Sequence, residues 1–202
     1  DQEVDELNNF FDERKANLKI MQHRDIYSIA FPALLKFFQD QQNPAYLEAK
    51  QAIDLRINTL QSVYKYVDVM LTDPQGRIVY VYNPEHKSEI GNFISDKENV
   101  LQKTETGVYL SDIHKTFHKE HPYTIYLAGL IYNVKGEAIG LMHMEIDMSG
   151  VFKFINDNSG REGSFESLLV KKVPDNKVIF ISPLKFDPGA ILTKTVIIGS
   201  SE

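Results

Sequence analysis

The sequence predicts an α+β chain, with long helices first, then a five-stranded antiparallel sheet, then the opening of a second small sheet. Three observations predict it. Apolar residues recur at helical spacing through the first 65 positions, the period shortens to two at Tyr66, and a second alternating hairpin begins after Gly163. The 202 residues suffice for one domain with a substantial core, or for one domain plus part of another.

Val4, Leu7, Phe11, Leu18 and Met21 fall three, four or seven residues apart and so share one helical stripe, with Gln, Asn, Glu and Lys on the other faces. Pro32 lacks an amide donor and crowds the preceding turn, so a kink or a restart is expected at Phe31-Pro32. Asn43-Pro44 is a start signal, Asn as N-cap and Pro at the first helical position. The helix that follows, Ala45 to about Val63, carries Ala49, Ile53, Ile57, Leu60 and Tyr64 on one side. A helical hairpin on a core and a dimer-forming helix share this periodicity.

From Tyr66, Val67, Val69 and Leu71 alternate with Tyr66, Asp68 and Met70, the pattern of a half-buried strand. Asp73-Pro74-Gln75-Gly76 is a turn, Pro presetting its φ and Gly taking a positive one, and Arg77 to Tyr82 returns as the partner strand. Ser88 to Thr106 is polar with sparse apolar positions at Ile90, Phe93, Ile94, Val100 and Leu101, which predicts a crossover of short helices. Val108–Ser111, Tyr123–Tyr132 and Ala138–Asp147 read as three more strands, the last two joined by a turn with Gly136 at the left-handed position. Met148 to Asn156 returns to helix, and Asn158-Ser159-Gly160 should end it. Phe165–Val173 and Lys177–Ser182 then form a second hairpin around Pro174-Asp175-Asn176, with too few residues after Ser182 to finish a second copy of the sheet. The expected division is a helical region over 1–65, a main domain over 66–158 and a partial second module over 159–202.

Composition excludes several function classes. Net charge is −6 and no basic stripe with interleaved aromatics occurs, which argues against nucleic acid as a partner. There is no cysteine, hence no disulfide, thiol nucleophile, Cys-based zinc site or iron–sulfur cluster. No run of 18 apolar residues occurs, and the acidic opening Asp1-Gln2-Glu3 is unlike a signal peptide. No G-x-S-x-G, Walker loop, H-E-x-x-H or dinucleotide fingerprint is present. Ser111, Asp112 and His114 are close in sequence, but strand neighbours point to opposite faces, which defeats a triad. The chain is not expected to be an enzyme, and no cofactor is expected.

Four stretches carry a resemblance to a family. They are Val67 to Val79 with its Asp73-Pro74-Gln75-Gly76 turn, Thr106 to Ile113, Leu130 to Met148 with Gly136, and Gly160–Phe165 followed by Val178–Leu184. In this order and spacing, over roughly residues 60 to 190, the sequence resembles the Cache-type, extracellular PAS-like sensor domains of histidine kinases, chemoreceptors and diguanylate cyclases. The last stretch is similar to the start of the membrane-proximal module of double-Cache receptors. The resemblance implies a PAS-like sheet and a small-molecule pocket between sheet and crossover. It also implies an extracytoplasmic, periplasmic or extracellular location in a membrane-tethered receptor, a sensor histidine kinase above others, with a homodimer formed through the N-terminal helix. In the amino-acid-binding branch two acidic residues hold the ligand amine, and the matching positions are Glu145 and Asp112. That branch grips the carboxylate with an Arg-x-Trp-Tyr run. Phe93-Ile94-Ser95-Asp96-Lys97 stands in its place and the chain has no tryptophan, which argues against an α-amino acid.

Strand parity adds to the site. Leu141, His143 and Glu145 share one face and Met142, Met144 and Ile146 the other, so the mixed set belongs on the ligand side and the apolar set against the helices. Tyr109 and Tyr126 are candidate aromatic walls. The candidate ligand residues are therefore Tyr109, Asp112, Tyr126, His143 and Glu145, and a cationic or amine-bearing small molecule suits the two carboxylates. His114, His118 and His121 would share a face only on a continuous helix; Pro122 follows and strands flank the segment, so solvated loop histidines are expected rather than a metal site. A periplasmic enzyme of unrecognised chemistry and a dimerisation domain without ligand remain as alternatives.

Overall fold

The computed structural model describes residues 2–23, 25–116, 119–156 and 167–199. The chain divides into two compact units, one of Val4–Asp112 with Ile125–Asp147, the other of Asp1–Glu3, Ile113–Thr124 and Met148–Glu202.

In the first unit three helices come first, α1 (Gln2–Gln22), α2 (Asp25–Phe37) and α3 (Pro44–Tyr64). The apolar stripe of α1 is buried only at its C-terminal end, Leu18 and Met21, while Val4 stays 53% exposed. The helical break falls between Gln22 and Asp25 rather than at Phe31-Pro32, and α2 runs through Pro32. A proline deep in a helix removes one backbone bond and crowds one turn; here Tyr27, Ala30, Phe31 and Leu34 are all buried, and packing of that face holds the helix together. Asn43 caps α3 as expected, its Oδ1 accepting from Ala45 N at 3.1 Å with Pro44 beside it, and Lys65 ends the helix at φ 52.

The sheet strands are β1 (Asp68–Thr72), β2 (Ile78–Val81), β3 (Tyr109–Leu110), β4 (His114–Lys115), β5 (Tyr123–Tyr132) and β6 (Ala138–Asp147). Their order is β2-β1-β6-β5-β3, with β4 pairing on β5, and the β1–β2, β1–β6, β3–β5 and β4–β5 pairs are antiparallel. The expected five strands are present, and β4 is a sixth. The expected half-buried character of the first strand is not met: Asp68, Val69, Leu71 and Thr72 are all buried. Both faces of the sheet are covered, so alternation no longer separates core from solvent.

One face carries the helices. A Cβ on Gly140 would meet Thr72 O and lie 2.6 Å from Phe31 Cζ of α2, and one on Gly129 would lie 2.5 Å from Leu18 of α1. Gly140 shares parity with Met142 and Met144, so the all-apolar set faces the helices, as parity predicted. Helix α3 lies along edge strand β2. Tyr46 donates to Val79 O at 3.0 Å, Tyr80 to Asp54 Oδ1 at 2.6 Å and Tyr82 to Asn58 Oδ1 at 2.6 Å. Lys50 pairs with Asp54 at 2.9 Å and sits over the Tyr80 ring. An edge strand covered in this way is closed to further pairing.

The other face carries the crossover, a 3₁₀ turn at Pro84–Glu89 and helix α4 (Lys97–Thr104), the short helices expected there. Backbone bonds Gly91 N to Ile78 O, Ile78 N to Asn92 O and Ile94 N to Gly76 O stitch its middle to the start of β2. Among the described residues no helix is long and apolar enough to cross a membrane.

In the second unit β4 pairs with the first residues of β5, and α5 (Ser149–Ile155) buries Val151, Phe152 and Ile155, with Phe152 edge-on to Tyr123 at 6.1 Å. His114 thus lies on a strand, its Nε2 3.0 Å from Thr124 Oγ1, and not on a helix with His121. His118 and the expected stop at Asn158-Ser159-Gly160 lie outside the described residues, as does Gly160–Phe165. The second hairpin is β7 (Val170–Val173) with β8 (Lys177–Phe180), and β9 (Thr195–Ile197) adds a third antiparallel strand. Its three-residue turn, Pro174-Asp175-Asn176, has φ 64 at Asp175 and 55 at Asn176, left-handed positions that Asp and Asn tolerate.

Candidate functional site

The crossover face of the first unit is built from alternate residues of adjacent strands. Asp68 stands opposite Glu145, Met70 opposite His143 and Thr72 opposite Leu141. Tyr109 stands opposite Ala128, which puts Tyr126, Ala128 and Leu130 of β5 on the same side. Val100 of α4 closes on Ala128 and Leu141, with Ile94, Leu101, Tyr109, Tyr126 and Leu130 packed around them. The floor is apolar and the polar groups stand along it.

Four of the five residues expected from sequence share this face. The Tyr126 and His143 rings meet at 5.8 Å between centroids, tilted 59°. Tyr109 accepts from Asn99 Nδ2 at 3.3 Å, and the same amide donates to Asp96 Oδ2 at 2.8 Å. Glu145 is half-buried two residues beyond His143. Asp112 is exposed, just past β3. Its neighbour Ser111 is tied to β5, the Ser111 amide donating to Tyr126 O and the Ser111 hydroxyl accepting from Tyr126 N.

His143 is 5% exposed, and among the described residues its Nε2 has no hydrogen-bond partner. Burial alone pushes its pKa down to about 4, so it is a neutral imidazole. Tyr126 is pushed up to about 12, first by burial and then by Tyr109, Asp96 and Glu145. It remains a protonated phenol facing negative charge. A neutral ring nitrogen, a phenol and a half-buried carboxylate over an apolar floor can hold a small polar molecule by directed hydrogen bonds.

Asp68 and His86 are site residues that the sequence reading missed. Asp68 Oδ2 lies 2.7 Å from His86 Nδ1, with side chains 0% and 3% exposed. Its Oδ1 accepts from the amides of Val69 at 2.6 Å, Tyr82 at 3.0 Å and Asn83 at 2.8 Å. The signal was present: a carboxylate inside an otherwise apolar strand, Tyr66 to Leu71, must find partners if the strand is covered.

A separate open pocket of about 270 Å³ lies at the helix break and is lined by His23, Asp25, Tyr132, Asn133, Val134 and Gly136. There His23 stacks on Tyr132 at 4.6 Å. None of the five expected residues lines it. Among the described residues no group of three or more His, Cys, Asp or Glu side chains converges as a metal site would need.

A sheet with helices on one face and a stitched crossover on the other defines the class: the chain has the fold of the Cache-type, PAS-like sensor domains. Among solved structures it is similar to the sensor domain of the Vibrio cholerae histidine kinase DctB, with TM-score 0.54 and 14% identity over 78% of this chain. The chain spans 57% of that structure. It is similar also to the Escherichia coli DcuS sensor domain, at TM-score 0.48 and 17% identity over 78% of this chain and 100% of that one. The ligand-binding domain of a Campylobacter jejuni chemoreceptor, in complex with 4-methylisoleucine, matches at TM-score 0.49 and 8% identity, over 85% and 78% of the two chains. No protein-family model and no curated protein matches the sequence.

Proposed function

We propose that the chain is the extracytoplasmic sensor region of a membrane-tethered signal-transduction receptor, a sensor histidine kinase, and that it binds a small molecule on the crossover face. In this reading residues 1–65 are the helical region that dimerises and carries the signal. Residues 66–158 hold the ligand, and 159–202 open a second module. Tyr109, Tyr126, His143 and Glu145 contact the ligand, with Asp112 supplying a second carboxylate for a cationic or amine-bearing molecule. Signalling is a population shift, requiring only that ligand prefers one packing of the helices over another.

The observation that carries the reading is the His143 nitrogen. A buried polar atom without a partner costs about 1–3 kcal/mol, and such an atom is retained where something else uses it. The shared fold with a histidine-kinase sensor domain supports the class. A thermal-shift screen against amines, polyamines and other small metabolites tests it, since ligand at a hundred times its Kd adds about 2.7 kcal/mol of stability. His143→Leu should raise the melting temperature of the unliganded chain and abolish the response to the compound that shifts wild type, and Glu145→Ala should also abolish that response. A ligand whose shift survives both substitutions would place the site elsewhere.

A further inference from the structure

A buried carboxylate–imidazole pair, Asp68 with His86, joins sheet to crossover. One carboxylate, Asp68, receives the amides of Tyr82 and Asn83 on Oδ1 and His86 Nδ1 on Oδ2. Those two amides are the first two beyond β2, where the chain enters the crossover. Asn83 in turn caps the 3₁₀ turn through Glu85 N at 3.1 Å and donates to Val67 O at 3.1 Å. The crossover therefore has two fastenings. The backbone stitches at Gly76, Ile78, Gly91, Asn92 and Ile94 do not titrate. The side-chain fastening at Asp68 contains an imidazole.

We propose that His86 is the positioning residue of the ligand face, and that its bond to Asp68 is a proton-operated latch fastening the start of the crossover over that face. The charged groups acting on His86 are Asp68 from β1, Glu145 from β6 and Glu89 from its own turn, and all are acidic. The bond to Asp68 leads in raising the His86 pKa above 6.5, against burial, which lowers it. The sign follows. The charged latch is at full strength below pH 6.5 and loses strength as pH rises through the raised pKa. Without its proton His86 offers at best a neutral N–H. Asp68 and Glu145, directly opposite across β1 and β6, then lose the positive charge between them and the crossover. Ligand affinity should fall with the latch, a consequence that rests on the crossover face being the ligand site, whereas the latch can be measured without any ligand.

The experiment is amide hydrogen exchange of the whole chain between pH 6 and 9, corrected for intrinsic rates, with ¹³C-histidine NMR on the same sample. The Asn83 and His86 amides should keep their protection below pH 6.5 and lose it above, with the midpoint of the His86 imidazole titration, while the Tyr82 amide, which also donates to Val69 O at 3.0 Å, should stay protected throughout. In His86→Gln, which keeps an N–H donor but cannot titrate, the protection should be lower and flat with pH. Asp68→Asn should move the imidazole midpoint down. Protection that is flat in wild type, or an imidazole midpoint at or below 6.5, overturns the latch even if His86→Gln fails to fold. A ligand that binds elsewhere overturns the site and leaves the latch standing.

Discussion

An imidazole removed from water either finds an anion or gives up its charge, and this chain contains both outcomes about one strand apart. His86 has Asp68 and is pulled toward the charged form. His143 has the Tyr126 ring and an apolar floor, and its pKa falls to about 4. The two therefore oppose each other in pH. For His143 the unfolded chain takes up the proton near pH 6.5 and the folded chain only near 4, so stability present above 6.5 is lost between those values on acidification. Urea unfolding of wild type should show that loss at up to about 1.4 kcal/mol per pH unit from this residue. His143→Leu should have a shallower acid slope by that amount; equal slopes would mean that the imidazole is not buried. Parity put Leu141, His143 and Glu145 on one face from sequence alone, because a strand's period admits only two choices. Asp112 follows a different rule: it lies past the end of a two-residue strand, where no period fixes a direction.

At the scale of elements, termini were legible and interruptions were not. The Asn43-Pro44 start is chemical, an amide oxygen and a ring that suit a first turn wherever the helix later packs, and the structure reproduces it. Asp175-Asn176 and Gly136 turn their hairpins for equally local reasons. Pro32 shows the limit. Its penalty is local, but the burial of Phe31 and Leu34 that outweighs it comes from residues far along the chain. A close approach of this kind is at Gly140, where α2 and β1 leave no room for a methyl group. Gly140→Ala should lower stability in thermal or urea unfolding by about 1–3 kcal/mol or more, because neither the Phe31 ring nor the Thr72 carbonyl can withdraw without moving backbone. A change within a few tenths of a kcal/mol would mean that α2 is not seated there.

At the scale of the whole molecule, strand order governs assembly. The central strand β6 is the last of its sheet to appear, and it joins β1, some seventy residues earlier, to β5. Until it is present the β1–β2 hairpin has no partner on its inner edge and the crossover has no complete surface to cover. A chain ending at Asn133 should therefore show no cooperative thermal transition by circular dichroism, though it retains all three long helices and five of the six strands of this sheet, all but β6. A sharp transition in that fragment would show that helices α1–α3 hold the core without the sheet's centre.

By itself the sequence determined the α+β class, the five strands and their turns, the capped start of α3 and the face on which His143 and Glu145 stand. All of these depend on spacing or on bonds between near neighbours. The tertiary structure alone decided that α2 passes through Pro32 and that the break falls at Gln22–Asp25. It alone covered both faces of β1, and so brought Asp68 and His86 together. Those outcomes depend on which distant surfaces meet: the burial that offsets a broken helical bond, or forces a carboxylate to find an imidazole 18 residues away, comes from contacts no local pattern encodes.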